Sequence, residues 1–382
     1  MRAPAGPEPR AHVRRLRQAL VARGMPRPAT LLASFLAFGG CAGETGLRTA
    51  STGPLAPGFT ADTATRAGLA SGAKASEAAC RALPDGLWVR TRDGWRGECL
   101  RYAAAGAVRG GGAKAPRLAV LHIPGDASGV AYRFAGGAPQ IEGAGESYEV
   151  PAAARRAAAE ALSEAAGGRP VFLIGRPGMH GSSGDHARDR HTAAEVELVD
   201  AALTELRRRY GVRAFVLSGF SSGGAIAANL LARRTDIACA VLASAPLDLA
   251  AFYRGADGGL PDHYLMRAAA LADPMRSVGS IEPGGGGATT VVVLGDRRDR
   301  KVPAASWRAW ADAARGAGLD VRAVEASGFD PAEGGAAASF HRTSGAGLEA
   351  AVACANGEPV PAPPRLATAE APGGSAALRG IE

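Results

Sequence analysis

The sequence predicts an α/β protein, built on a mainly parallel central sheet with helices on both faces. Continuous apolar runs of strand length recur along the chain, as strands covered on both sides require. Between them lie stretches of helical composition, so strand and helix alternate as in a chain wound over both faces of one sheet. The clearest junction is at residues 212–231, where Ala214-Phe215-Val216-Leu217 meets Ser218-Gly219-Phe220-Ser221-Ser222-Gly223-Gly224 and passes into an Ala/Leu-rich stretch. The length agrees. A chain of 382 residues with 47% hydrophobic content can bury one core, and a single domain of roughly 250 to 300 residues with extensions is the plain expectation.

The folded body is expected over residues 79–356. Two short runs at 87–91 and 98–102 read as an antiparallel strand pair that opens the sheet. The apolar run 118–123 gives a third strand and ends in Pro124-Gly125-Asp126. A Gly-rich loop, a helix at 151–166 and a buried strand at 171–174 follow. The helix expected at 192–209 carries Ala194, Val196, Val199, Ala202 and Leu206 on one side. Its acidic residues lie in the first half and its arginines at the end, as the helix dipole favours. After the junction come a strand at 237–245, an irregular insertion at about 246–287 that would cap the pocket, and a strand at 290–294. A helix at 304–315, a strand at 321–326 and a last helix at 345–355 complete the series. No internal repeat is evident.

Charge is unevenly placed. Residues 1–40 hold seven Arg and one Glu and account for +6 of the formal net charge of +8, leaving +2 for the rest. A nearly neutral body without a basic stripe argues against nucleic acid as the partner. The apolar run 29–40 has the length of a signal-peptide h-region and is too short to span a bilayer. Gly39-Gly40-Cys41 resembles the lipobox of bacterial lipoproteins. That resemblance implies loss of a leader over 1–40, opened by Met1 or by Met25, and lipidation of Cys41. It also implies residence in the periplasm or cell envelope, with the N-terminal lipid as the one membrane contact. Residues 41–78 read as a flexible tether and 357–382 as a disordered tail. Four cysteines remain, in a compartment that would permit disulfides. Cys80 and Cys99 bracket the first strand pair and are the favoured bridge, while Cys239 and Cys354 either pair or stay as thiols.

The chemistry centres on Ser221. Gly219-x-Ser221-x-Gly223 between a strand and a helix fits a nucleophile elbow, where the serine sits on a strained turn and its neighbours must lack bulk. With 53 glycines in the chain the five-residue pattern alone is weak, and the strand before it and helix after it give it weight. A serine needs a base, and the base an orienting acid. Of seven histidines, His341 alone follows the final expected strand. The acid belongs beyond the preceding strand, where Asp299-x-x-Val302-Pro303 puts a carboxylate in the turn before a helix. Asp296 is its rival and Asp248 a more distant one.

In this order, Ser221, Asp299, His341, the chain resembles the α/β-hydrolase superfamily over about residues 80–356. The resemblance implies Ser221 as nucleophile, His341 as general base and then acid, and Asp299 as the group that holds His341 in the productive tautomer. It also implies an oxyanion hole made by the backbone N–H groups of Ser222 and Asp126. The loop 176–184 is similar to the segment after the fourth strand of many such hydrolases, and Gly223-Gly224 resembles the prolyl-oligopeptidase branch. The implied function is a serine hydrolase without cofactor. It would act on a small carboxylic ester, favoured over an amide or short peptide. A peptidase, an acyltransferase with the same triad and a non-catalytic surface lipoprotein stay open as alternatives. The cluster His180, Asp185, His186, Asp189 and His191 matches no metal-ligand spacing, so no metal is expected. Gly284 to Gly287 precede a strand and so lack the geometry of a phosphate cradle. The oligomeric state is not legible in the sequence.

Overall fold

A computed structural model describes residues 66–106, 118–126, 130–135, 138–143, 150–254, 258–282, 289–330 and 338–360. The leader, Cys41, the tether up to residue 65, the Gly284 to Gly287 run and the tail from 361 lie outside the described residues. Ten strands are described: β1 (Gly86–Arg90), β2 (Gly97–Ala105), β3 (Leu118–Ile123), β4 (Ala131–Ala135), β5 (Ala138–Gly143), β6 (Val171–Ile174), β7 (Ala214–Phe220), β8 (Ile237–Ala243), β9 (Thr290–Gly295) and β10 (Asp320–Glu325). Eight of them form one sheet in the order β1-β2-β6-β3-β7-β8-β9-β10. The β1/β2 and β2/β6 pairs are antiparallel, and every pair from β6 to β10 is parallel.

Strand pleating divides the core in two. On β7, Phe215 and Leu217 belong to one apolar cluster while Val216 and Phe220 belong to the other. On β9, Val291 and Val293 face the first cluster and Val292 and Leu294 the second, the period-two pattern of a strand buried on both faces. Helices Ala193–Tyr210, Ser222–Leu231 and Ala304–Gly316 cover the first face, through Val199, Ile226 and Trp310 among others. Helices Ala152–Ala165 and Ser344–Asn356 cover the second, through Leu162 and Leu348. The structure joins Cys80 to Cys99 and Cys239 to Cys354. The second bridge ties the final helix to the start of β8.

Three segments differ from the expectation. The tether does not extend to residue 78: Arg66–Ser71 is a helix, and Leu69, 1% exposed, packs with Ile141, Met179 and Ala187. Burying one such leucine is worth about 1.5 to 3 kcal/mol, enough to hold a short segment against the body. The stretch after β3, expected as a loop, contains the antiparallel hairpin β4/β5, separate from the main sheet. The insertion is not irregular but holds short helices at Leu249–Tyr253, Asp262–Arg267 and Pro274–Ser277. The side chains of Asp248 and Asp273 cap the first and third of these. On the insertion, His263 stacks on Phe134 of the hairpin, with ring centroids 3.9 Å apart.

Candidate active site

Ser221 stands where β7 turns into helix Ser222–Leu231, with φ 50° and ψ −125°. A side chain in that region is strained, and the strain is held by packing on both sides of the turn. The N–H of Ser221 donates to the carbonyl of Ala243 (2.8 Å), and its own carbonyl accepts from Gly224 (2.9 Å). A methyl group at Gly223 would collide with the carbonyls of Ile123 and Pro124, and one at Gly125 would come within 2.9 Å of the Ser221 Cβ. Glycine at both places therefore lets the loop after β3 lie directly against the elbow. Ser221 itself is half-buried.

His341 is brought to Ser221 from the loop before the last helix. Its Nε2 lies 3.0 Å from Ser221 Oγ, and its Nδ1 lies 2.7 Å from Asp299 Oδ2. Asp299 Oδ1 accepts from the N–H groups of Lys301 (2.8 Å) and Val302 (2.9 Å), which fixes the carboxylate in its turn. His341 and Asp299 are both buried. With Nδ1 donating to the carboxylate, the Nε2 lone pair faces the Ser221 hydroxyl, the arrangement a base needs to take its proton.

The rival acids do other work. Asp296 is 1% exposed and accepts from the Arg298 guanidinium at 2.8 and 3.0 Å and from the N–H of Gly328 at 3.0 Å. Burial pushes its carboxyl up, but Arg298 and the backbone donors more than offset this and hold it below the usual range. Arg298 in turn lies over the ring of Phe340, 4.2 Å from its centroid, next to His341. The N–H of Arg300 donates to the Ser339 carbonyl (2.9 Å), so the acid loop and the histidine loop are also joined through the backbone. Asp248 caps helix Leu249–Tyr253.

The two residues expected to supply oxyanion donors meet through their side chains. Ser222 Oγ donates to Asp126 Oδ2 (2.9 Å), which also accepts from Arg190 Nε (2.5 Å). Asp126 Oδ1 accepts from Arg176 Nη1 (2.8 Å). Arg176 is fully buried and forked onto Glu195, itself fully buried, at 2.6 and 2.9 Å. Burial pushes the Asp126 carboxyl up, and the Arg190 and Arg176 guanidinium groups bring it well below the usual carboxylate range.

The residues of the histidine-rich cluster mostly take partners outside it, while within it the N–H of Asp185 donates to Asp189 Oδ2 (3.2 Å). Asp189 pairs with Arg96, Asp185 caps helix His186–Asp189, His186 faces Tyr132 at 3.0 Å, and His191 faces Ser222 at 2.8 Å. His180 is buried, and its carbonyl accepts from Arg155 Nη1 (3.1 Å). The sequence reading missed Arg176, Arg190, His191, Glu195 and Tyr253 as site residues. One signal was present: Thr192-x-x-Glu195 has the form of a capping box. Thr192 Oγ1 accepts from the Glu195 N–H (3.3 Å), while the Glu195 carboxylate accepts from the N–H of His191 (2.8 Å), one residue before the cap.

Strand order, the antiparallel β2 and the strained serine at the strand-to-helix turn define an α/β-hydrolase fold. A sequence model of the alpha/beta hydrolase fold matches residues 141–278. Among solved structures the chain is similar to an esterase of Pyrococcus furiosus, at 16% identity and a TM-score of 0.42, over 63% of this chain and 82% of that one. It is also similar to a puromycin hydrolase (20% identity, TM-score 0.47, 74% of this chain and 41% of that one). A third is the acylaminoacyl peptidase of Pyrococcus horikoshii (9% identity, TM-score 0.42, 63% of this chain and 36% of that one). Comparison with curated protein sequences gives no match.

Proposed function

We propose that the protein is a serine hydrolase that cleaves a carboxylic ester or amide through an acyl-enzyme on Ser221. The observation that carries this reading is the unbroken contact chain from Asp299 through His341 to Ser221, at 2.7 and 3.0 Å, assembled from three separate loops. In this reading Ser221 Oγ attacks the substrate carbonyl while its proton passes to His341 Nε2, and Asp299 stabilises the imidazolium that forms. The N–H groups of Ser222 and Asp126 receive the oxyanion. His341 then gives its proton to the leaving alcohol or amine, and water repeats the cycle to release the acid.

The adjacent insertion and hairpin, joined by the stack of Phe134 on His263, would frame the acyl or leaving-group side of the pocket and set substrate choice. Export to an oxidising compartment is supported by the two disulfides, and lipidation at Cys41 remains the proposal of the sequence. The test is a panel of p-nitrophenyl esters of varied acyl length beside aminoacyl-p-nitroanilides. Turnover of at least one, lost in Ser221→Ala, is the expected result, and the preferred member separates esterase from peptidase. Turnover that survives Ser221→Ala would refute the assignment.

A further inference from the structure

Beside Ser221 the hydrogen bonds close into a ring that crosses four parts of the chain. Tyr253, at the end of the first insertion helix, has its hydroxyl 3.0 Å from His191 Nδ1 and accepts from Arg190 Nη1 at 3.0 Å. His191 Nε2 lies 2.8 Å from Ser222 Oγ, Ser222 Oγ donates to Asp126 Oδ2, and Arg190 Nε donates to the same oxygen.

The proton count fixes the direction of each bond. The single Ser222 proton goes to the Asp126 carboxylate, so Ser222 Oγ must accept from His191 Nε2–H. Nδ1 of the neutral ring is then an acceptor and takes the Tyr253 proton, and the Tyr253 oxygen is left to accept from Arg190. Each contact in the ring then has one donor and one acceptor, and Arg190 keeps further N–H groups that the ring does not use. Burial, and then the nearby Arg190 guanidinium, hold His191 well below its usual range, in keeping with a neutral ring. The ion pairs in direct contact set Arg176 and Arg190 against Asp126 and Glu195. A buried network whose contacts are all matched favours one arrangement and resists displacement.

We propose that Tyr253, His191 and Arg190 are positioning residues for the oxyanion hole. By clamping the side chains of Asp126 and Ser222, the ring sets where their backbone N–H groups stand relative to Ser221, and through Tyr253 it makes the insertion a working part of the site. This rests on the serine hydrolase reading. The consequence is that the insertion governs turnover and not only substrate choice.

The gentlest break is Tyr253→Phe, which keeps the ring and removes the hydroxyl. Ser222→Ala breaks the ring at its other end. In the full chain, with active enzyme counted by fluorophosphonate titration, each variant should lower kcat on the preferred p-nitrophenyl ester by about tenfold or more. KM should stay within about twofold, and affinity for a boronic acid that forms a tetrahedral adduct on Ser221 should fall in parallel with kcat/KM. A loss that is merely structural would lower the titrated amount of enzyme and leave kcat per site and boronate affinity intact. That result, or unchanged kcat in both variants with the fold retained, would overturn the proposal. A wild-type protein that neither titrates nor turns over would instead sink the hydrolase reading, and this inference with it.

Discussion

Two acid, histidine and serine chains flank the elbow, and they differ in where the histidine stands. On one side His341 lies between Asp299 and Ser221, with one nitrogen on each. On the other, Ser222 lies between Asp126 and His191, so the acid holds the hydroxyl directly and the histidine donates to it. The first order leaves a basic nitrogen facing the Ser221 hydroxyl, while in the second the Ser222 hydroxyl both donates and accepts. In the proposed reading, the same three residue types give a path for a proton in one case and a rigid clamp in the other.

The sharpest way to break this contrast is to neutralise the acids. Asp299→Asn should lower kcat by about a thousand- to ten-thousandfold, because the amide would present the wrong donor to Nδ1 and leave the imidazolium without its counter-charge. Asp296→Asn should cost less than about tenfold in kcat and about 1 to 3 kcal/mol in stability, since it weakens the Arg298 and Gly328 contacts that brace the histidine loop. Steady-state kinetics and denaturant unfolding of the two variants check both. Equal kinetic losses would show that the acid is wrongly assigned.

A smaller effect separates buried neutral histidines from the rest of the chain. His122 is held down to about 4 by burial first and then by Arg155, and His180 and His191 are shifted in the same direction. The folded state therefore refuses protons that the unfolded chain binds below about pH 6.5. Stability should be full above that pH and fall as the pH drops, with His122 contributing about 3 kcal/mol across the window from about 6.5 to about 4. Unfolding free energies measured between pH 7 and 4 check this, and His122→Asn should flatten the slope by up to one proton. An unchanged slope would contradict it.

What could be read from the sequence was local or ordered along the chain. The elbow announces itself because strand, small-residue turn and helix are contiguous, and Asp299 and His341 were reachable because each follows a recognisable strand. The hairpin β4/β5 was not, since its five- and six-residue strands lie among glycines and gain their packing from residues far along the chain, Tyr132 facing His186 for one. The insertion helices span four to six residues, too short for periodicity to show, although Asp273-Pro274 is a start signal of the usual kind. Leu69 had one apolar side chain to offer and needed a partner surface that the hairpin and the segment from Met179 to Ala187 supply only in the folded protein. The ring through Tyr253, His191 and Asp126 is closed by hydrogen bonds between residues 31 to 96 positions apart, which no spacing rule encodes.

The central claim is that Ser221 is the group made nucleophilic by His341. Mass spectrometry of the protein after treatment with a fluorophosphonate tests it most directly. The account predicts one adduct, on the peptide that carries Ser221, formed at least about a hundredfold more slowly in His341→Ala. An adduct on another serine, or none on folded wild-type protein, would contradict it.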